Sequence, residues 1–293
     1  MVALADAALG ALNGMVGDLL DEQDHRLAVR MRLRVDGEAT TKILVLVHGL
    51  MASDDRWVFK GRPGTTYGSL LAAERGVTPV YVTYNSGRHI SHNGRELAAR
   101  LDELVAAWPV AVDEVDLIGH SMGGLVVRSA CHYAVEDGRS WADRVRRVFL
   151  LGAPNRGATF EQLANVVLAG INAVPLGVAR SLGRLADRRS AGIKDLRRGS
   201  VVDEDWELGR RHPVHVPPEA EVFVACASVL GGPEHPVGRV LGDVLVTQFS
   251  AQARRPRRSG TLCAGDRIRV FSSGHMGLSN NPEVYEQLLA WWA

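Results

Sequence analysis

Cysteine is scarce in this sequence, and neither a long apolar run nor an excess of one charge is present. Its three cysteines do not form a disulfide framework, and none has the spacing of a zinc or redox pair. The formal net charge of +1 gives no reason to expect a nucleic-acid partner. No stretch approaches the ~18 consecutive apolar residues of a membrane span, and no secretion signal is visible, so we expect a cytoplasmic protein.

What is present is an ordinary globular composition. With 293 residues, 46% of them hydrophobic and 23% charged, the chain can bury one large core. We expect a single domain over residues 1–293, with an N-terminal helix and strand in residues 1–40. Apolar residues at helical spacing over positions 3–20 predict an amphipathic helix. That helix either docks on the body of the protein or contacts a membrane surface or a second copy; the sequence leaves the oligomeric state open.

Apolar strands alternate with helical patterns along most of the chain. After a first strand near Leu27–Val35, six runs have the continuous apolar character of strands buried on both faces. These runs are Ile43–Val47, Pro79–Tyr84, Val115–Ile118, Val148–Leu151, Val222–Ala225 and Ile268–Phe271. Helical patterns occur at Tyr67–Arg75, Asn93–Trp108, Gly124–Val135 and Pro282–Trp292. The alternation predicts an α/β fold with a mostly parallel sheet flanked by helices.

Residues 155–220 interrupt this alternation. About 65 residues separate two strands that one helix normally connects. Helical patterns at Phe160–Asn172 and Val178–Asp187 are followed by segments broken by Gly and Pro. We therefore expect an inserted helical cap, and an insertion after a strand's carboxyl end lies over the site in such folds.

The sharpest motif is Gly119-His120-Ser121-Met122-Gly123-Gly124. It follows the apolar strand Val115–Ile118 and opens a helical run, which is the strand–turn–helix setting of a nucleophilic serine. The sharp turn lifts the Ser121 hydroxyl above the sheet, and glycines on both sides allow close packing. The helix N-terminus then faces a developing oxyanion.

From about residue 43 onwards the chain resembles the α/β-hydrolase family, and within it bacterial lipases and esterases, including the PGAP-type (inositol-deacylase-like) lipase group. Besides the serine motif, three segments carry the resemblance. They are Val45-Leu46-Val47-His48-Gly49-Leu50, Gly152-Ala153-Pro154-Asn155-Arg156-Gly157 and Ser273-Gly274-His275. The resemblance implies that the backbone N–H groups of Leu50 and Met122 form the oxyanion hole. Asn155 stands where the family usually has His, and we assign it no function.

His275 is the predicted catalytic base. The base must follow the serine and the acid in the chain order of this fold, on a loop after a strand. Of the ten histidines, His275 fits best, because it lies between the last strand and the last helix. His212, His215 and His235 occur in Pro-flanked segments that we read as cap or loop. His120 is next to the nucleophile, and we expect it to have a packing role.

Asp243 is the predicted acid. Its segment, Leu241-Gly242-Asp243-Val244-Leu245-Val246, resembles the acid loop of the family, although Val244 stands where Gly is usual. Glu234 and Asp266 are the alternatives. Asp266 directly precedes the last strand, so we expect it at the end of the sheet opposite the site. For Asp243, the alternative to a catalytic role is a purely structural role in a turn.

Other signals are weaker. Trp57 and Phe59 follow the His-Gly segment and either line a substrate pocket or anchor the loop. The basic run 254–258 is typical of a solvated loop, with an anionic headgroup or substrate as the alternative. Asp54-Asp55 and the carboxylates near 203–207 do not have the spacing of a calcium loop. We expect no metal and no cofactor.

Together these features predict a serine carboxylic-ester hydrolase, an esterase or lipase that acts through an acyl-enzyme on Ser121, His275 and Asp243. Its substrate is a small-molecule or lipid ester. The same three residues also suit a thioesterase, an amidase or an acyltransferase. The alternative of another class is a non-catalytic binding protein with the hydrolase fold. Acyl-chain preference, stereoselectivity and interfacial activation are not encoded in these patterns.

Overall fold

A seven-stranded sheet organises the computed structural model, which describes residues 2–159, 164, 167–168, 189–228 and 265–292. The strand order is β1-β3-β2-β4-β5-β6-β7. The strands are β1 Arg32–Val35, β2 Lys42–Val47, β3 Thr78–Thr83, β4 Glu114–His120, β5 Val145–Leu151, β6 Glu221–Ala227 and β7 Ile268–Phe271. β1 pairs antiparallel with β3, and every other pair is parallel. The predicted mostly parallel α/β sheet is confirmed.

Helices cover both faces of this sheet. They are α1 Val2–Glu22, α2 Tyr67–Arg75, α3 Ile90–Ala106, α4 Met122–Glu136, α5 Ala191–Arg198, α6 Asp203–Glu207 and α7 Pro282–Trp291. None of the helices in the described ranges is both long enough and apolar enough to cross a membrane.

The core lies on the two sides of the central strands. Along β2, Ile43, Val45 and Val47 belong to one buried cluster, whereas Leu44 and Leu46 belong to the other. Both sets are at most 1% exposed, which is why the sequence of this strand is continuously apolar rather than alternating. This burial on both faces fixes the position of the strand and therefore of the loop at its carboxyl end.

The N-terminal helix α1 docks on the body of the protein, above the carboxyl ends of the strands. The Asn85 side chain, just after β3, donates from Nδ2 to the carbonyl of Gly17 at 2.8 Å. The Ser190 hydroxyl, just before α5, donates to the carbonyl of Gly14 at 2.7 Å, and the Ala191 N–H donates to the Asp18 carboxylate at 2.8 Å. Helix α1 thus joins the loop after β3 to the segment that precedes β6.

The predicted cap is described only in part. Its helical patterns at Phe160–Asn172 and Val178–Asp187 lie outside the described residues, apart from three isolated positions. Helices α5 and α6 are the elements of residues 155–220 that the structure describes. Cys131 and Cys226 are buried, as their apolar segments predicted, and Cys263 lies outside the described ranges.

Tyr67 ties α2 to the loop between β7 and α7. Its hydroxyl donates to the Leu278 carbonyl at 2.9 Å and accepts the Asn281 N–H at 2.9 Å. Because Tyr67 is fully buried, Tyr67→Phe leaves both backbone groups without a partner inside the protein. We expect the variant to lose about 1–3 kcal/mol in free energy of unfolding, measured by urea denaturation.

Tyr285→Phe is the matched control. The Tyr285 hydroxyl donates to Glu74, an exposed side chain that water can solvate instead. We expect a loss below about 1 kcal/mol for this variant. If the two variants lose the same free energy of unfolding, the buried Tyr67 hydrogen bonds stabilise the fold no more than the exposed Tyr285 hydrogen bond does.

Candidate active site

Ser121 occupies a strained turn between β4 and α4. Its backbone has φ +54° and ψ −123°, a left-handed conformation that costs a non-glycine residue about 1–3 kcal/mol. The Ser121 N–H donates to the Leu151 carbonyl at 2.8 Å, which ties the turn to the end of β5. Met122 is the first residue of α4, so its N–H has no acceptor within the helix and belongs to the positive end of the helix dipole. The predicted nucleophile therefore has the backbone that its chemistry requires.

The loop after β2 packs directly on this turn. A Cβ atom on Gly49 would lie 3.0 Å from the Ser121 Cβ, so a side chain at position 49 would collide with the nucleophile. Met51, two residues later, has φ +59°, and its N–H donates to the Ser86 hydroxyl at 3.1 Å. The Met51 amide is thus engaged by Ser86, and the neighbouring Leu50 amide stays the predicted oxyanion donor of this loop.

His48 and Tyr84 support the same loop from below. The His48 ring stacks on Tyr84 with centroids 4.5 Å apart, and the Tyr84 hydroxyl donates to the His48 carbonyl at 2.8 Å. The His48 Nδ1 lies 2.8 Å from the Gly49 carbonyl. Since a carbonyl oxygen only accepts, Nδ1 carries the proton. Burial lowers the pKa of His48 from its usual value to about 4, so the ring is neutral at pH 7.

His275 reaches the same end of the sheet from the other side. It is buried at the start of the turn His275–Ser279, which follows β7. Gly152 has φ +64°, and a Cβ atom there would lie 2.9 Å from His275 Cε1 and 3.0 Å from Nδ1. The imidazole thus lies over Gly152. The residue before it, Leu151, is the one whose carbonyl accepts the Ser121 N–H. The Ser121 turn and the predicted base therefore both lie at the carboxyl end of β5.

Two of the three candidates for the catalytic acid lie in segments that the structure does not describe. Asp243 and Glu234 lie outside the described residues, as does the basic run 254–258. Asp266 lies in the turn Gly265–Arg267 before β7, and its carbonyl accepts the Trp291 indole N–H at 2.9 Å. It is exposed and stands at the opposite end of β7 from His275. Asp243 stays the predicted acid.

Trp57 and Phe59 are core residues in the loop after β2. Trp57 is fully buried and Phe59 is 5% exposed. Both rings pack on Tyr67, at centroid distances of 6.1 and 5.4 Å, and the Trp57 ring lies edge-on to His120 at 6.5 Å. These contacts are those of loop anchors, one of the two roles that the sequence left open. A role in lining the substrate pocket stays a prediction.

One group within the described ranges combines metal-ligating side chains, namely His132, Glu136 and His215. The His215 N–H donates to Nδ1 of His132 at 3.1 Å, so a neutral His132 ring carries its proton on Nε2. Neither nitrogen of His132 then has a free lone pair, and the group offers only two ligands. We assign no metal to it, and the expected absence of a metal stays a prediction.

Three supporting residues were not found from the sequence. Ser86 and Tyr84 hold the loop after β2, and His120 hydrogen-bonds the backbone of His275. Ser86 and Tyr84 follow the end of β3, next to β2 in the sheet, and polar residues at adjacent strand ends were an available signal. The hydrogen bond from His120 had no such signal, because its partner His275 is 155 positions away along the chain.

Comparison with known proteins gives a family and a fold. A family model described as "Domain of unknown function (DUF7379)" matches residues 19–171. No curated protein matches the sequence. Among solved structures, the mature form of the lipase BlEst2 from Bacillus licheniformis is 19% identical with a TM-score of 0.56, covering 89% of this chain and 97% of that chain.

The propeptide form of the same lipase is 21% identical with a TM-score of 0.55, and the match covers 89% of this chain and 53% of that one. At these identities the likeness shows the fold alone. The chain has the α/β-hydrolase fold, as the sequence predicted.

The buried, neutral His48 predicts a pH-dependent stability. An unfolded histidine titrates near pH 6.5, well above the folded value of about 4, so between these values the unfolded chain binds the additional proton. The stabilisation is therefore complete above about pH 6.5 and is lost as the pH falls towards 4. We expect up to roughly 3 kcal/mol of unfolding free energy to disappear across this window.

His48→Asn tests this expectation, because the Asn side-chain amide can still donate to the Gly49 carbonyl but does not titrate. Urea denaturation between pH 4 and 7.5 should give a shallower decline for this variant than for the natural chain. Two parallel curves would contradict the assignment to His48.

Proposed function

The chain belongs to the family described as a domain of unknown function (DUF7379), and we propose that it is a serine hydrolase that cleaves carboxylic esters through an acyl-enzyme on Ser121. One observation carries the proposal. The strained Ser121 turn, the His275 imidazole over Gly152 and the loop that carries Gly49 and Leu50 lie at the ends of β2, β4 and β5, which supports the predicted roles. A nucleophile, a base and two oxyanion donors are the parts that acyl transfer needs.

The reaction follows from this arrangement. His275 removes the proton from the Ser121 hydroxyl, and the oxygen attacks the ester carbonyl to form a tetrahedral intermediate. The N–H groups of Leu50 and Met122 stabilise its oxyanion. The C–O bond to the alcohol breaks as His275 returns the proton to the leaving oxygen. Water, activated by His275, then releases the acid and regenerates Ser121, while Asp243 orients the imidazole and stabilises its charged form.

The packing of the cap segment supports an enclosed acyl site. A Cβ atom on Gly192, in α5, would lie 2.8 Å from the Met122 side chain and 2.2 Å from the Ser86 carbonyl. Helix α5 therefore packs against the residue that follows the nucleophile. Its Asp195 accepts the Ile90 N–H at 2.9 Å, which fixes it to the start of α3. We propose that α5 and α1 cover part of the site and line the acyl pocket.

The substrate class is proposed as a carboxylic ester, with medium or long acyl chains favoured by the cap and the N-terminal helix. One structural neighbour, BlEst2, is a lipase by name, and this supports the choice of an ester. The resemblance to the inositol-deacylase-like lipase group stays part of the proposal. Transfer of the acyl group to an alcohol instead of water uses the same residues, and product analysis with both acceptors distinguishes hydrolysis from transfer.

The test is hydrolysis of p-nitrophenyl esters, from short to long acyl chains, by the natural chain and by Ser121→Ala. We expect Ser121→Ala to lower kcat by about 10⁴-fold or more, to background. Ser129→Ala is the matched control, because Ser129 is a buried serine on α4, the helix that follows Ser121, and its hydroxyl has no hydrogen-bond partner in the described residues. It should retain activity within a factor of about three, since no hydrogen bond is lost.

Two outcomes would contradict the proposal. Equal activity in the natural chain and Ser121→Ala would place the chemistry elsewhere. No turnover of any ester in the series would favour a narrower acyl substrate or a binding protein with the hydrolase fold.

Asp243 is tested separately. Asp243→Asn should lower kcat by about 10⁴-fold, because the imidazole loses the partner that sets its tautomer and stabilises its charge. Asp266→Asn and Glu234→Gln should each keep kcat within a few-fold of the natural chain. A large loss in Glu234→Gln with a small one in Asp243→Asn would transfer the role of the acid to Glu234.

A further inference from the structure

His120 makes a hydrogen bond to the backbone of the proposed base. Its Nε2 lies 3.1 Å from the carbonyl oxygen of His275, and the two ring centroids are 5.1 Å apart with the planes tilted by 43°. A carbonyl oxygen only accepts, so Nε2 carries the proton and donates. The residue next to the nucleophile in the chain therefore holds the loop that brings the base.

The surroundings of His120 fix this tautomer. The ring is 1% exposed, and its Nδ1 is buried without a hydrogen-bond partner in the part of the chain that the structure describes. Burial, followed by the nearby His275 ring, lowers the pKa of His120 well below its usual value, so the imidazole is neutral. The backbone of Gly49 and the ring of Trp57 pack against the His120 ring.

The loop that carries His275 is held at both of its ends. His275 follows Ser273 and Gly274, which are exposed or half-buried and connect the end of β7 to the turn. Tyr67 fixes the far end of the turn, at Leu278 and Asn281. The His120 bond acts at the near end, on His275 itself. Because a base displaced by 1 Å can cost about 10²-fold in rate, the position of this carbonyl matters for the chemistry.

We propose that His120 is a positioning residue, whose Nε2–H fixes the His275 backbone so that the imidazole stays over Gly152 and within reach of Ser121. This inference rests on the proposed ester hydrolysis. His120 donates a fixed proton to the backbone and exchanges none with the substrate, and it acts through His275.

The test uses the matched pair His120→Gln and His120→Met. The two side chains have the same length, but only Gln retains an N–H donor near the position of Nε2. We expect His120→Met to lower kcat for p-nitrophenyl esters by about 10- to 100-fold with KM changed less than about threefold. His120→Gln should recover most of that loss. Equal losses in the two variants would overturn the proposal.

A double-mutant cycle shows whether the effect passes through the base. In a His275→Ala background, His120→Met should change the residual rate by less than about twofold, because there is no imidazole left to position. A loss as large as that in the natural background would mean that His120 acts elsewhere, and would also overturn the proposal. If His120→Met does not fold, His120→Leu, which is smaller and also lacks a donor, replaces it in both comparisons.

Amide hydrogen exchange of residues 275–279 separates this proposal from the proposed function. Exchange should be faster in His120→Met than in His120→Gln, whatever reaction the site performs. If exchange is faster in His120→Met but the natural chain hydrolyses no ester, the positioning role of His120 stands and the ester chemistry is rejected. If exchange in His120→Met equals that in the natural chain, the positioning role is rejected even if esters are hydrolysed.

Discussion

The left-handed backbone of Ser121 is the constraint on which the site depends. A serine keeps φ at +54° only because its surroundings impose it, since the conformation is unfavourable for any residue with a side chain. Parallel pairing of β4 with β2 and β5 fixes the strand that leads into the turn. Helix α4, which packs on α3 through a long shared interface, fixes the chain that leaves it. The packing of the α/β core thus compensates the strain at Ser121 and keeps its hydroxyl above the sheet.

Around this turn, the proposed site is assembled largely through backbone groups. The Ser121 amide binds the Leu151 carbonyl, and the Met51 amide binds the Ser86 hydroxyl. Close approaches at Gly49 and Gly152 bring the neighbouring loops against Ser121 and His275. Backbone positions are set by the sheet, so the arrangement is built before any substrate arrives. Such preorganisation is what makes oxyanion stabilisation effective, because no reorganisation is needed during the reaction.

Local patterns in the sequence predicted the elements and the nucleophile, because each depends on neighbours along the chain. A strand buried on both faces must be apolar throughout, as in β2, and the Gly119–Gly124 motif combines a strand end, a sharp turn and a helix start. Long-range ties were not predictable in this way. Tyr67 meets Leu278 across 211 positions, and only the fold creates that pairing. Asp243 was inferred from resemblance and remains a prediction.

The most direct test of the central claim is labelling of the native chain by an alkyl fluorophosphonate, followed by tryptic mass spectrometry. The tryptic peptide 101–128 contains one serine, Ser121, so an adduct on it identifies the nucleophile without further mapping. An activated serine predicts a single adduct on this peptide in the folded protein, and none after heat denaturation. Labelling on another peptide, or equal labelling of folded and denatured chain, would contradict the account.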